Sequence, residues 1–259
     1  DVGKFPERLK PISLRPNLTD LDGAINYNEI YTLLMALNLS IYTPSNYILP
    51  SRVAKYIDLT HNKGDSLTQR GREEGIRRLM SINLLKRLES SVYSFRLTIE
   101  RIREFINTTI AQILAFAGGD ALLDVQEADA ADFDADDLNT DFFSVGKKLR
   151  IRLADMDYKS WLHELEQDAE TLKLLSRMVA DITPEHDAKL KALIALIREK
   201  QAHPINAGNR KIIIFAAFSD TADYLYQNIS GFALKEYGLH TAEITGSVDG
   251  KTTIPRLSG

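Results

Sequence analysis

Residues 85–113 read LKRLESSVYSFRLTIERIREFINTTIAQI. Apolar side chains recur at Leu85, Leu88, Val92, Phe95, Ile99, Ile102, Ile106 and Ile113, and polar Thr109 fills the one remaining slot. The intervals alternate between three and four residues. That spacing lays one apolar seam along a long helix packed against a neighbour. The helical pattern spans 66–117, although Gly71 and Gly75 weaken its start. This stretch sets the expectation of a mainly α chain. Seams of this kind also join two chains, so a helical protein–protein interaction module is one reading of the chain.

On the N-terminal side, residues 1–24 are rich in Pro, Asn, Asp and Gly and read as an irregular entry segment. Ile30, Leu33, Leu34 and Leu37 give 27–40 a helical face. Pro44 and Pro50 break the chain, and a short helix is expected from Ser51 to about Leu59.

On the C-terminal side, residues 118–146 are acidic and poor in core spacing, which predicts a solvated insertion. They lack the ligand spacing and central glycine of a calcium loop. Helical patterning resumes over 159–182 through Trp161, Leu165, Leu172, Leu175 and Val179. Thr183 and Pro184 suit an N-cap and first turn, with a further helix over 185–200. Glu185, His186 and Asp187 fall at that helix start, where acids complement the dipole.

The period then changes. KIIIFAA at Lys211–Ala217 is an apolar run of strand length, as expected for a parallel strand buried on both faces. Ser219 or Asp220 can cap the next helix, whose inner face is Ala222, Leu225, Tyr226 and Ile229. His240–Thr245 reads as a second strand, which completes a βαβ unit. The expected architecture is therefore a helical region over 1–204 followed by a partial α/β unit over 205–259.

The 259 residues carry a net charge of −4, unevenly spread. Residues 1–110 are net +4, and residues 111–145 hold nine acids and no base. The remainder can thus present basic faces to a polyanion. No cysteine is present, which excludes disulfides, cysteine-zinc sites and thiol catalysis. No apolar run is long enough for a membrane span, and the expected location is a reducing cytoplasm. A start at Asp1 and a loop-like end at Gly259 read as a piece of a longer protein.

No self-contained catalytic constellation is visible. The five histidines lack zinc-protease spacing, and there is no GxSxG elbow. GSVDGKTT at Gly246–Thr253 imitates a phosphate loop, but only three residues separate its glycines and Pro255 opposes the required helix. Residues 70–103 carry nine Lys/Arg against four acids, including Arg77, Arg78, Lys86 and Arg87. They fit either a solvated helix face or a phosphate-contacting or interdomain surface. Ligands of open α/β sheets bind beyond the strand ends. Here those ends carry Phe218, Ser219 and Asp220, then Thr245, Gly246 and Ser247.

These stretches carry a resemblance. RRLMSINLLKRLESSVYSF at Arg77–Phe95 resembles the helical segment joining the two motor lobes of bacterial Swi/Snf-type superfamily-two helicase-like ATPases. The nearer likeness is to the branch that can carry a phospholipase-D-like nuclease domain. RKIIIFAAFSDTADYLYQNI at Arg210–Ile229 resembles the opening strand and helix of the second RecA-like lobe. ITGSVDGKTTIPR at Ile244–Arg256 is similar to the next strand and its loop. The resemblance implies ATP-driven translocation on duplex DNA. ATP and Mg would be held by the first lobe of the parent protein, so none is expected in this piece. It implies DNA-backbone or lobe-packing roles for Phe218, Ser219, Asp220 and Thr221, and nucleic-acid contact for Thr245, Gly246 and Ser247. Arg77 and Arg78 join the expected DNA-facing set. Lys86, Arg87, Glu89 and Ser90 would contact across the lobes. Expected partners are duplex DNA, the first RecA-like lobe of the same chain and, through an unpaired sheet edge, a second copy; no membrane is expected.

Overall fold

In the computed structural model the described residues are 5–21, 26–56, 69–116, 122–124, 150–246 and 250–255. Among them the chain is mainly helical. Six α-helices follow in order: α1 Tyr27–Ala36, α2 Gln69–Ser90, α3 Val92–Ala115, α4 Tyr158–Met178, α5 Ala188–Ala202 and α6 Ser219–Tyr237. Four short strands form two antiparallel pairs, β1 Leu122–Asp124 with β2 Arg150–Arg152 and β3 Ala242–Glu243 with β4 Lys251–Thr252. No helix of the described residues is long and apolar enough to cross a membrane.

The expected single helix over 66–117 is two helices. Ser91 breaks it, with φ −157° and ψ 146°. Its Oγ accepts from the Ser94 amide at 3.0 Å, so a serine side chain replaces a lost helical bond and starts α3 anew. The seam is otherwise as read. Leu88, Val92, Phe95, Ile99, Ile102, Ile106 and Ile113 are all buried, and Thr109 is buried among them. Leu85 is only half-buried, and Leu84 takes the inward place on α2. The neighbour is α4 of the same chain, whose Trp161, Leu165, Leu172 and Leu175 join the same core.

Two buried carboxylates order the turns over 38–47. Asp168 of α4 accepts from the amides of Asn38 at 2.8 Å and Ser40 at 3.0 Å. Glu73 of α2 accepts from the Ser45 amide at 3.0 Å and its hydroxyl at 2.6 Å. Between the Asp168 bonds sits Leu39, fully buried at φ 50°. A branched residue in the left-handed region is costly, and the flanking bonds and burial hold it there. The Trp161 indole donates to the Ser40 carbonyl at 3.1 Å.

The C-terminal part has its own apolar cluster, Leu190, Ile197, Tyr224, Ile229 and Ala233. Asp187, not Thr183, caps α5, through the Leu190 amide at 2.9 Å. Helix α6 ends at Gly238, whose φ of 64° suits a residue without Cβ. The inner face of α6 is Thr221, Tyr224, Ile229 and Ala233, while Ala222, Leu225 and Tyr226 are only partly covered. The expected strand over 211–217 forms no ladder with any described residue. A parallel strand needs a neighbour to bond, and β3 pairs antiparallel with β4 instead. The helical character thus stands, and a parallel βαβ pairing is not made among the described residues. Of the acidic insertion over 118–146, only β1 is described.

The entry segment runs along the C-terminal part. Thr19 bridges Asp187, and Asp20 meets His186 and Lys191. Asn206 exchanges two hydrogen bonds with the Glu7 backbone, at 2.8 and 3.1 Å.

Candidate functional site

The two stretches singled out by sequence, KRLESS and FSDT, meet. The last turn of α2 lies against the first turn of α6. Arg87 is 1 % exposed, although it carries a charge. Its guanidinium lies over the Phe218 ring at 4.4 Å from the centroid. It also donates to Asp220 Oδ2 and to Ser94 Oγ, both at 3.0 Å. Arg101 reaches the same Asp220 oxygen at 3.4 Å. A planar guanidinium can stack and donate at once, whereas an ammonium cannot.

Hydroxyls continue the junction. Ser90 Oγ and Thr221 Oγ1 are 2.9 Å apart, and Thr221 Oγ1 lies 3.4 Å from Ser91 Oγ. Lys189 of α5 donates to the Glu89 and Ser90 carbonyls, which are orphans at the end of α2. Tyr93 stacks on Tyr224 with centroids 4.9 Å apart. The Tyr224 hydroxyl donates to Asp187 Oδ2 at 2.9 Å. Burial, with the Asp187 charge beside it, pushes that phenol well above the ordinary tyrosine range.

Beside this junction is a largely apolar cleft of about 530 Å³, walled by α2, α5, α6, residues 214–218 and the entry segment at Leu14 and Pro16. Lys86, Glu89 and Lys189 stand among its walls.

The other expected site residues are distributed as follows. Arg77 is half-buried and forked onto Glu74 at 2.6 and 3.0 Å, and its hydrogen bonds hold the Glu74 carboxyl below the usual range. Arg78 is exposed and 3.3 Å from Glu74. Both lie about 15 Å along α2 from Arg87. Phe218 and Thr221 are buried inside the junction, so they serve packing and are not presented as a nucleic-acid surface. Asp220 is committed to Arg87 and Arg101. Ser219 is half-buried. Lys86 is exposed, and Glu89 accepts from the Tyr27 hydroxyl at 3.4 Å. Thr245 and Gly246 follow β3 at the surface, and Ser247 lies outside the described residues.

Sequence reading missed Ser94, Arg101, Tyr93, Lys189 and Tyr224. A signal existed for two of them. Arg87, Ser94 and Arg101 recur every seven residues, which stacks them beside the apolar seam.

The site offers ion pairing, stacking and cleft volume. The described residues contain no group of three or more side chains suited to a metal. Nor do residues 250–253 fit a phosphate loop. Lys251 lies in β4, its ammonium pairs with Asp223 and sits 3.4 Å from Glu243, and no helix starts there. Compared with family models, curated proteins and solved structures, the chain matches none.

Proposed function

We propose that this chain is the interlobe segment of an ATP-dependent DNA translocase of the Swi/Snf-like helicase type, and not itself a complete catalyst. In this reading the helical layer of α1–α4 is locked onto the start of the second RecA-like lobe. ATP and Mg bind to the first lobe, and the segment passes the resulting movement to duplex DNA. One observation carries the reading: the two stretches that bear the resemblance pack on each other through Arg87, Ser90, Phe218, Asp220 and Thr221. That supports an interlobe role for Arg87 and Ser90. It leaves DNA-backbone contact to the exposed Arg78, Lys86 and Gly246 and the half-buried Thr245.

The test is duplex-DNA binding followed by anisotropy across a salt series. Phosphate contacts release counterions, so affinity should fall steeply with salt. Arg78→Glu and Lys86→Glu should each weaken binding on all sequences alike and reduce the slope by about one. The same pair of variants in the longer parent protein should lower DNA-stimulated ATP turnover, while this chain alone turns over none. No DNA binding at low salt, together with no DNA stimulation in the parent, would overturn the reading.

A further inference from the structure

Residues 8–18 of the entry segment form neither helix nor ladder, and no described residue hydrogen-bonds their backbone. The segment is held at its two ends, by the two Asn206 bonds to Glu7 and by the Thr19–Asp187 bridge. Between these anchors proline limits its freedom. Pro11 and Pro16 have a fixed φ and no donor, and the residues before them, Lys10 and Arg15, are confined to extended backbone. Residues 8–18 contain no acid. Arg8, Lys10 and Arg15 are all exposed and form no ion pair with any described residue. The segment also borders α2, because Leu14, Pro16 and Lys86 line one cleft. Lys86 is likewise exposed and without an ion pair among the described residues. Exposed Arg78 lies about 12 Å back along the same helix.

We propose that residues 8–15 are an arm that contacts the phosphate backbone of duplex DNA, extending the cationic row of Arg78 and Lys86 through Arg15, Lys10 and Arg8. This rests on the DNA reading above and adds to it a segment which that reading leaves unused. Charge selects the partner. Three unpaired cations with no acid among them fit a polyanion, and Glu7 and Glu89 flank the row without cancelling it. Backbone conformation favours the contact. An arm tied at both ends and restricted by proline loses little freedom when it binds. Extended, Arg8 to Arg15 spans up to about 23 Å, which brings several phosphates within reach. Contacts of this kind carry no base preference. Phe5, Leu9 and Ile12 are also exposed in the segment, so an anionic lipid surface is the competing partner to test.

The test is duplex-DNA anisotropy across a salt series with single variants. Arg8→Ala, Lys10→Ala and Arg15→Ala should each weaken binding on all sequences alike and reduce the slope by about one. None of these side chains has a bonding partner to lose among the described residues, so helical circular dichroism should be unchanged. Lys159→Ala and Lys235→Ala remove the same charge from exposed positions on α4 and α6 and should leave the slope as it is. Equal losses from these two overturn the proposal, because net charge alone would then be responsible. Slopes that respond to Arg78→Glu and Lys86→Glu but not to the arm variants overturn the arm and leave the DNA reading standing. No duplex binding at low salt overturns both. Cosedimentation with phosphatidylserine vesicles that the arm variants abolish, with DNA binding untouched, overturns it in favour of a lipid surface.

Discussion

Arg87 stacks on Phe218 and pairs with Asp220 two residues further on, so one buried guanidinium joins the end of α2 to the start of α6. The pair is far apart in sequence and poorly hydrated, with the Arg87 side chain 2 % and the Asp220 side chain 18 % exposed. Removing one member leaves the other charge buried. Arg87→Met is expected to cost about 3 kcal/mol in urea unfolding. Asp220→Leu alone should cost a similar amount, and the double variant should recover part of the loss. Arg87→Lys should recover little, because an ammonium cannot lie flat on Phe218 while bonding Ser94 and Asp220. Equal losses that simply add would show that the two do not act as a pair.

The apolar seam of α3 is satisfied inside one chain. Ile99 is 1 % exposed in the core that α3 shares with α4. Ile99→Ala should therefore cost about 2–5 kcal/mol, as for a cavity in a packed core. Sedimentation should be the same as for the parent chain. A variant that lost association while keeping its stability would mean that the seam joins two chains.

Ser91 ends one helix and begins the next. Ser91→Ala removes the acceptor for the Ser94 amide and should lower stability by about 1 kcal/mol. Ser90→Ala removes only the hydroxyl contact to Thr221 and should cost less. Urea midpoints of the two variants rank these roles. The reverse order would move the structural weight to the α2–α6 contact.

These two serines mark the limit of what the sequence discloses. Periodicity reports which side chains turn inward, and the positions from Leu88 to Ile113 do so. It does not report a one-residue break, because Ser91 sits beside the seam without interrupting it. The N-cap of α5 differs from the local signature for a related reason. Thr183–Pro184 has the stronger local signature, but tertiary context decides: Asp187 is held by Tyr224 and by the bridge to Thr19. KIIIFAA has the composition of a buried strand, yet a ladder depends on a neighbouring strand that composition does not provide. The site was legible as two stretches and not as a contact. Nothing local in FSDT says that Asp220 would be taken by a basic residue more than a hundred positions earlier.

Asp155 and Asp168 give stability opposite dependences on pH. Burial raises the Asp155 carboxyl, but hydrogen bonds from Lys55 at 3.0 Å and Tyr56 at 2.8 Å, with Arg52 at 3.4 Å, outweigh it and hold it below its ordinary value. The folded state then binds the proton less tightly than the unfolded chain. Its contribution is present above an unfolded value of about 3.9 and is lost as pH falls through the lower folded value. Asp168 is the reverse. Burial dominates over the Ser40, Asn38 and Leu39 amides and raises its carboxyl. Its folded form keeps the proton after the unfolded chain has released it, so this contribution falls as pH rises through the raised folded value. Urea unfolding of the parent, Asp155→Asn and Asp168→Asn from about pH 3 to 8 separates the two. The gap between parent and Asp155→Asn should narrow as pH falls below about 4. The parent's stability relative to Asp168→Asn should decline as pH rises above that point. Gaps that change in the same direction would mean that the protein environment does not distinguish these carboxylates.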